Sequence, residues 1–412
     1  MKLGLSSLLA ISTISTSGYG EITENELFDF LGEERFDKQK LFDAERNPNI
    51  VVSTDGTVLA TWGEVEDNFK LGAKGIRVRR SENGGTDWGE LITVTKPCWH
   101  GGGVIVNEVT GEILIFAESR YPPANISVHR STDNGKTWKK NKDTIFHTDK
   151  KGNLPSMHFA EHGITLRKGK NVGRLIRAAR WYAGADTRAN LPKMYNTSIY
   201  SDDRGKTWKT SEPFPELGTG EGAITELSDG RLYYNSRRHW DPDGKNYDAS
   251  RRWSAWSYDS GLTWKDASIC NELPDGAVLS IGPGSGCLAG LARIPIKDKD
   301  IILYTNCDSP TNERKDLTVW ASFDGAKTWP IKRQIHHGPS AYSSICIGRK
   351  DTASEGWIYV LFEGGTKHRH EGGYVARFNL SWLLQGKTTG DGKLPAWIKT
   401  KEQKTQTLRI RK

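Results

Sequence analysis

The chain has 412 residues and a formal net charge of +8, with 15 Trp and 44 Gly against 3 Met. That mixture suits an all-β protein, because aromatic residues cover half-buried sheet faces and glycine supplies tight turns; no window sustains an apolar period of 3.6, so little helix is expected. Lys and Arg are spread along the chain rather than clustered, which argues against a nucleic-acid partner, and no stretch after the leader is long and apolar enough to span a bilayer.

Residues 1–20 read as an export signal: Lys2 supplies the positive start, Leu3 to Ile14 a mostly apolar stretch, and Ser15 to Gly20 small residues suited to cleavage. The mature protein is therefore expected to be secreted or periplasmic. Residues 21–390 show no composition break or linker, so one unit is expected there, followed by a basic tail over 391–412.

The first strand pair is expected over Ile50 to Thr61 around the Asp55-Gly56 turn. A loop from Gly63 to Lys74 follows, then a strand over Gly75 to Arg80, which leads into Ser81-Glu-Asn83-Gly-Gly-Thr-Asp87-Trp88. This is a degenerate copy of the pattern Ser-x-Asp-x-Gly-x-Thr-Trp. Clean copies run from Ser131 to Trp138, Ser201 to Trp208 and Ser257 to Trp264, and a fifth, Ser322 to Trp329, has Ala326 in place of Gly. The Asp or Asn side chain accepts backbone N–H groups and holds a tight turn, Gly takes backbone angles closed to other residues, and Trp packs beneath. Each copy is thus a strand–turn–strand unit, as the run Asn125 to Arg130 before the second copy illustrates. A further pair is expected over Gly222 to Ser236 around Asp229-Gly230.

Motif starts at 81, 131, 201, 257 and 322 are spaced as four-stranded propeller blades would be. Five motifs, with room for one blade lacking it, predict an all-β fold of one six-bladed β-propeller. The repeat itself is evidence for fold and carries no chemistry.

Four local matches add to the repeats. They are Arg46-Asn47-Pro48-Asn49-Ile50; Glu221 to Arg237; Asn306 to Trp329, with Arg314 ahead of a strand and turn motif; and Gly338-Pro-Ser-Ala-Tyr342-Ser-Ser. In this order they resemble the bacterial and animal exo-α-sialidases, and the resemblance spans about Leu41 to Leu383. It implies a retaining glycosidase that removes terminal sialic acids from glycans, glycoproteins or glycolipids, without metal or organic cofactor. Arg46, Arg237 and Arg314 would bind the substrate carboxylate, Tyr342 would be the nucleophile and Glu221 its base.

The chemistry suits those residue types. Sialic acid bears a carboxylate on its anomeric carbon, and guanidiniums recognise a carboxylate bidentately with permanent charge. A carboxylate nucleophile would be repelled by that group, whereas a neutral phenol is not, and a tyrosine nucleophile is the known exception to the two-carboxylate pattern. The resemblance also implies an acid/base on the loop after the first Arg, where Asp67 is the candidate and Glu64 and Glu66 the alternatives.

The sequence departs from the family in two places: Leu59 to Glu64 lacks the Arg that commonly follows the first hairpin, and Cys98-Trp99-His100-Gly-Gly-Gly103 is an unusual second-blade opening. Trp99 and His100 could line the pocket or pack under the Gly turn, and packing is the expectation. Cys98, Cys270, Cys287, Cys307 and Cys346 form no Cys-x-x-Cys pair, so no zinc site is expected, and most read as buried small hydrophobes. Two other functions fit parts of the pattern: a glycan-binding propeller without catalysis, and a glycosidase or lyase acting on another acidic sugar.

Overall fold

A computed structural model describes residues 25–385 except 66–72, 101, 158–159, 188, 241–250, 277–285 and 312. The expected export signal, the basic tail, and both Glu66 and Asp67 lie outside the described residues.

The motifs build the turns they predict. In the second copy, Gly135 N donates to Ser131 Oγ (2.8 Å), while Asp133 Oδ1 accepts from Thr137 N (2.9 Å) and Oδ2 from the Thr137 hydroxyl (2.6 Å). Gly135 sits at φ +81°, and Ala326 occupies the same left-handed region at φ +66°, which accounts for the rarity of a side chain there.

Four of the five turns are also clamped to a neighbouring sheet. Arg377 Nη1 donates to Gly84 O (2.7 Å), Arg80 Nε to Asn134 O (2.6 Å), Arg130 Nη2 to Arg204 O (2.8 Å) and Arg174 Nη1 to Ser260 O (2.9 Å). The motif, read from sequence as a local hairpin device, is therefore also a staple between sheets.

Strands Arg46–Val52, Val58–Val65, Ala73–Ser81 and Ile92–Thr95 form one antiparallel sheet. The next is built around Ile113–Glu118 and Ile126–Ser131, and a third around Leu175–Trp181 and Tyr195–Ser201. Thr219–Glu226, Leu232–Arg238, Arg251–Ser257 and Lys265–Pro274 make the fourth. First strands of successive sheets pack against each other, and Arg46–Val52 packs against Ile331–Ile347, so the sheets close into a propeller. The core lies between sheets: Val51, Leu59, Ile76 and Val78 meet Val104, Val106, Ile113 and Ile115, with Trp138 of a turn motif packed on them.

Six separate sheets were the expectation; the described residues form four sheets of four or five strands and one of seven. The reason is Ile331–Ile347, a single strand of 17 residues. Its first half pairs with Lys315–Ser322, and Ser340 onward pairs with Ile358–Gly364. Phe36–Asp43 completes this sheet by pairing with Gly372–Phe378, tying the two ends of the described chain together. Among the described residues the α-helix is confined to Leu380–Leu384, and no helix is long and apolar enough to cross a membrane.

Candidate active site

The candidate residues lie where inner strands depart from regular pairing. Register shifts fall between Arg46 and Asn49, between Thr219 and Gly222, and between Ser340 and Ser343. Such irregularities re-aim side chains that plain alternation would send elsewhere. They fall at or beside Arg46, Glu221 and Tyr342, on strands Arg46–Val52, Thr219–Glu226 and Ile331–Ile347. Asn47 takes φ +65°, a conformation Asn tolerates better than most residues. A Cβ on Gly220 would lie 2.1 Å from His239 Nδ1, and one on Gly222 2.5 Å from the Tyr234 ring, so glycine on both sides of Glu221 lets those rings close in.

Tyr342 donates its hydroxyl to Glu221 Oε1 at 2.6 Å, although 121 residues separate them. Arg237 Nη1 donates to Glu221 Oε2 at 2.6 Å and lies 3.4 Å from the Tyr342 oxygen. The guanidinium carbons of Arg46 and Arg314 stand 5.1 and 5.5 Å from the centre of the Tyr342 ring. The structure thus brings together five of the predicted residues: Tyr342, Glu221, Arg46, Arg237 and Arg314. Arg314 has its Nε buried without a hydrogen-bond partner among the described residues.

Burial above all, reinforced by Glu221, holds the Tyr342 phenol above its ordinary pKa, against the downward pull of Arg237, Arg314 and Arg46. It is therefore a neutral donor at neutral pH. Burial disfavours the charge on Arg237, but Glu221 and Tyr342 outweigh it and push its pKa up.

The acid/base position is only partly visible. Glu64, one alternative, forms an ion pair with Arg77 at 2.6 Å. Trp99 packs against the cluster containing Tyr342 and meets Tyr121 edge-on at 5.3 Å between ring centres. The His100 side chain lies outside the description.

Sequence reasoning missed the support around these groups. Glu363, fully buried, accepts from Arg46 Nε (3.3 Å) and Asn47 N (2.9 Å), and His370 Nδ1 lies 2.8 Å from its other oxygen. Burial works against its charge, yet Arg46 and then His370 bring its carboxyl down to about 2. Behind Arg237, Asp275 accepts from Arg252 Nη1 (2.6 Å) and from Arg238 N (2.8 Å). Half-buried Arg369 stands near Arg314 and Arg46, and burial followed by their charge lowers its pKa. None of these residues belongs to a motif; Glu363 is a charge inside an otherwise apolar strand, whereas Asp275, Arg369 and His370 lie outside strands and carry no such signal.

A separate cavity of about 350 Å³ opens at the opposite ends of the inner strands, lined among others by Val52, Glu108, Arg167, Glu226, Arg293 and Arg349. It includes none of the five residues gathered around Tyr342.

Known proteins resemble this chain in sequence and in fold. The model of the BNR repeat-like domain family matches residues 56–359. A sialidase of Micromonospora viridifaciens is 31% identical over 367 residues, covering 82% of this chain and 52% of that protein, so the chain spans about half the length of this curated relative. Among solved structures, the Hadza microbial sialidase Hz136 has a TM-score of 0.61 at 21% identity, covering 82% of this chain and 66% of the other. The intramolecular trans-sialidase from Ruminococcus gnavus also has a TM-score of 0.61, at 15% identity, covering 84% and 98%. These two structural likenesses bear on the fold alone. With its repeated turns, its closed set of sheets and a family match over residues 56–359, the chain belongs to the sialidase family with BNR repeats.

Proposed function

We propose that the protein is an exo-α-sialidase that hydrolyses terminal sialic acids from glycoconjugates with retention of configuration. The observation carrying this reading is the 2.6 Å hydrogen bond from Tyr342 to Glu221, set beneath three guanidiniums. Arg46, Arg237 and Arg314 hold the substrate carboxylate. Asp67 protonates the glycosidic oxygen as the bond to the leaving group breaks. The Tyr342 oxygen attacks the anomeric carbon and Glu221 takes its proton. Water, deprotonated by Asp67, then displaces the Tyr342 oxygen, which takes its proton back from Glu221, and the enzyme is returned. The neutral phenol suits this role because it meets an anionic sugar without repulsion.

The same proposal counts six blades, with Ile331–Ile347 serving as the outer strand of one and the inner strand of the next. It also includes export directed by residues 1–20, which would bring the protein to glycans outside the cytoplasm.

The test is turnover of a fluorogenic aryl sialoside by wild type, Tyr342→Phe and Asp67→Ala. Wild type is expected to release sialic acid, with Tyr342→Phe slower by about 100-fold or more. Undiminished turnover in Tyr342→Phe would remove the nucleophile, and binding without turnover by wild type would leave a glycan-binding propeller. Analysis of the released sugar separates hydrolysis from intramolecular transfer, the reaction named for the Ruminococcus gnavus protein.

A further inference from the structure

One buried carboxyl ties together the strands that carry Arg46, Glu221 and Tyr342. Glu161 is fully shielded from solvent and lies just ahead of the short strand Ile164–Thr165. Its Oε1 accepts from the Ser344 hydroxyl (2.8 Å) and from Ile345 N (2.9 Å), on the strand that holds Tyr342. Its own backbone N donates to Gly222 O (3.0 Å), the residue after Glu221. Ser344 Oγ in turn accepts from Ile50 N (3.0 Å), on the strand that begins at Arg46. Beside Glu161, His162 Nε2 lies 2.8 Å from Ile345 O, so both backbone polar groups of Ile345 meet this pair of residues.

These bonds fall where the three strands return to regular pairing. The irregular stretches end at Asn49, Gly222 and Ser343. Just there, Ile50 N, Gly222 O and Ile345 N bond to groups outside their own sheets, which spares buried backbone from standing unpaired. The segment bearing Glu161 is held in its turn: Ala160 O accepts from Asn49 Nδ2 (3.4 Å), and Gly163 N donates to Val104 O (2.8 Å).

We propose that Glu161 is a positioning residue which, through Ser344, Ile345 and Gly222, sets the Tyr342 hydroxyl against Glu221. This inference rests on the glycosidase reading. Proton transfer from Tyr342 needs hydrogen-bond reach, which the 2.6 Å contact supplies, and a misplacement of about 1 Å costs on the order of 100-fold in rate. Burial, against the pull of its donors, holds the Glu161 carboxyl well above the ordinary range. Its Oε2 has no hydrogen-bond partner among the described residues, an oxygen that would cost far more to bury charged than neutral. As a neutral acid, Glu161 keeps an acceptor for both donors and adds no negative charge beside Glu221.

The test compares Glu161→Gln, Glu161→Ala and Ser344→Ala with wild type on the fluorogenic aryl sialoside, and repeats each change in a Tyr342→Phe background. Glutamine keeps the accepting oxygen and should turn over substrate like wild type. Glu161→Ala should lower kcat by about 100-fold, with KM changed far less. Ser344→Ala should act in the same direction more weakly, and it carries the comparison where Glu161→Ala does not fold. In the Tyr342→Phe background both alanine changes should cost much less, because the group they position is gone. An equal cost in the two backgrounds, or wild-type turnover by both alanine variants, would overturn the proposal. Hydrogen exchange read by mass spectrometry checks the tie without turnover: peptides over 219–226 and 340–347 should exchange faster in either alanine variant than in Glu161→Gln. A wild type without turnover would sink the glycosidase reading, and the exchange result would then decide the tie, with equal exchange refuting it.

Discussion

Replacing Glu363 by Gln tests whether the charge behind Arg46 supports the fold. Glu363 is fully buried and its carboxyl is held at about 2 against an ordinary 4.5. The difference of some two and a half pH units corresponds to about 3 kcal/mol of preference for the ionised form in the folded protein. Its folded pKa is depressed, so this stability is fully present above pH 4.5 and is lost as the pH falls through about 2. Glutamine keeps an oxygen for Asn47 N but removes the charge facing Arg46, leaving that guanidinium without its buried partner. Urea denaturation followed by Trp fluorescence should therefore show Glu363→Gln less stable than wild type by about 3 kcal/mol at pH 7. The gap should narrow steadily below pH 4.5. A loss as large at pH 3 as at pH 7 would mean packing is responsible, and a loss below about 1 kcal/mol at pH 7 would refute the electrostatic account.

Glu118 should behave in the opposite sense. Burial above all raises its carboxyl to about 7, while Oε1 accepts from the Ser156 hydroxyl (2.6 Å) and Met157 N (3.1 Å). Between pH 4.5 and 7 the folded state binds the extra proton, so stability falls as pH rises through that window. Glu118→Gln keeps an oxygen for both donors, and denaturation curves should show it more stable than wild type by about 2 kcal/mol at pH 8, with no advantage at pH 4. The clamps on the turn motifs are open to the same measurement. Arg80→Met removes the bond to Asn134 O and should cost about 2 kcal/mol in urea denaturation; a cost near zero would show that the turn holds its neighbour by packing alone.

Local chemistry made much of this protein legible. The repeated turns are set by side chains within eight residues of one another, such as Ser131 and Thr137 around Asp133, and short-range hydrogen bonding needs no distant partner. The hairpins around Asp55-Gly56 and Asp229-Gly230 form for the same reason. Tyr342, Glu221 and the three arginines were recognised by their order along the chain, and their meeting at one point follows from closure of the sheets.

Tertiary structure decided the rest. Nothing in the run from Ile331 to Ile347 announced that one strand would join two sheets, because the junction depends on partners on both sides. Glu363 behind Arg46 and Asp275 behind Arg237 each join residues from separate strands or loops. Their charges acquire meaning only from burial and from neighbours brought in by the fold, and a linear pattern records neither.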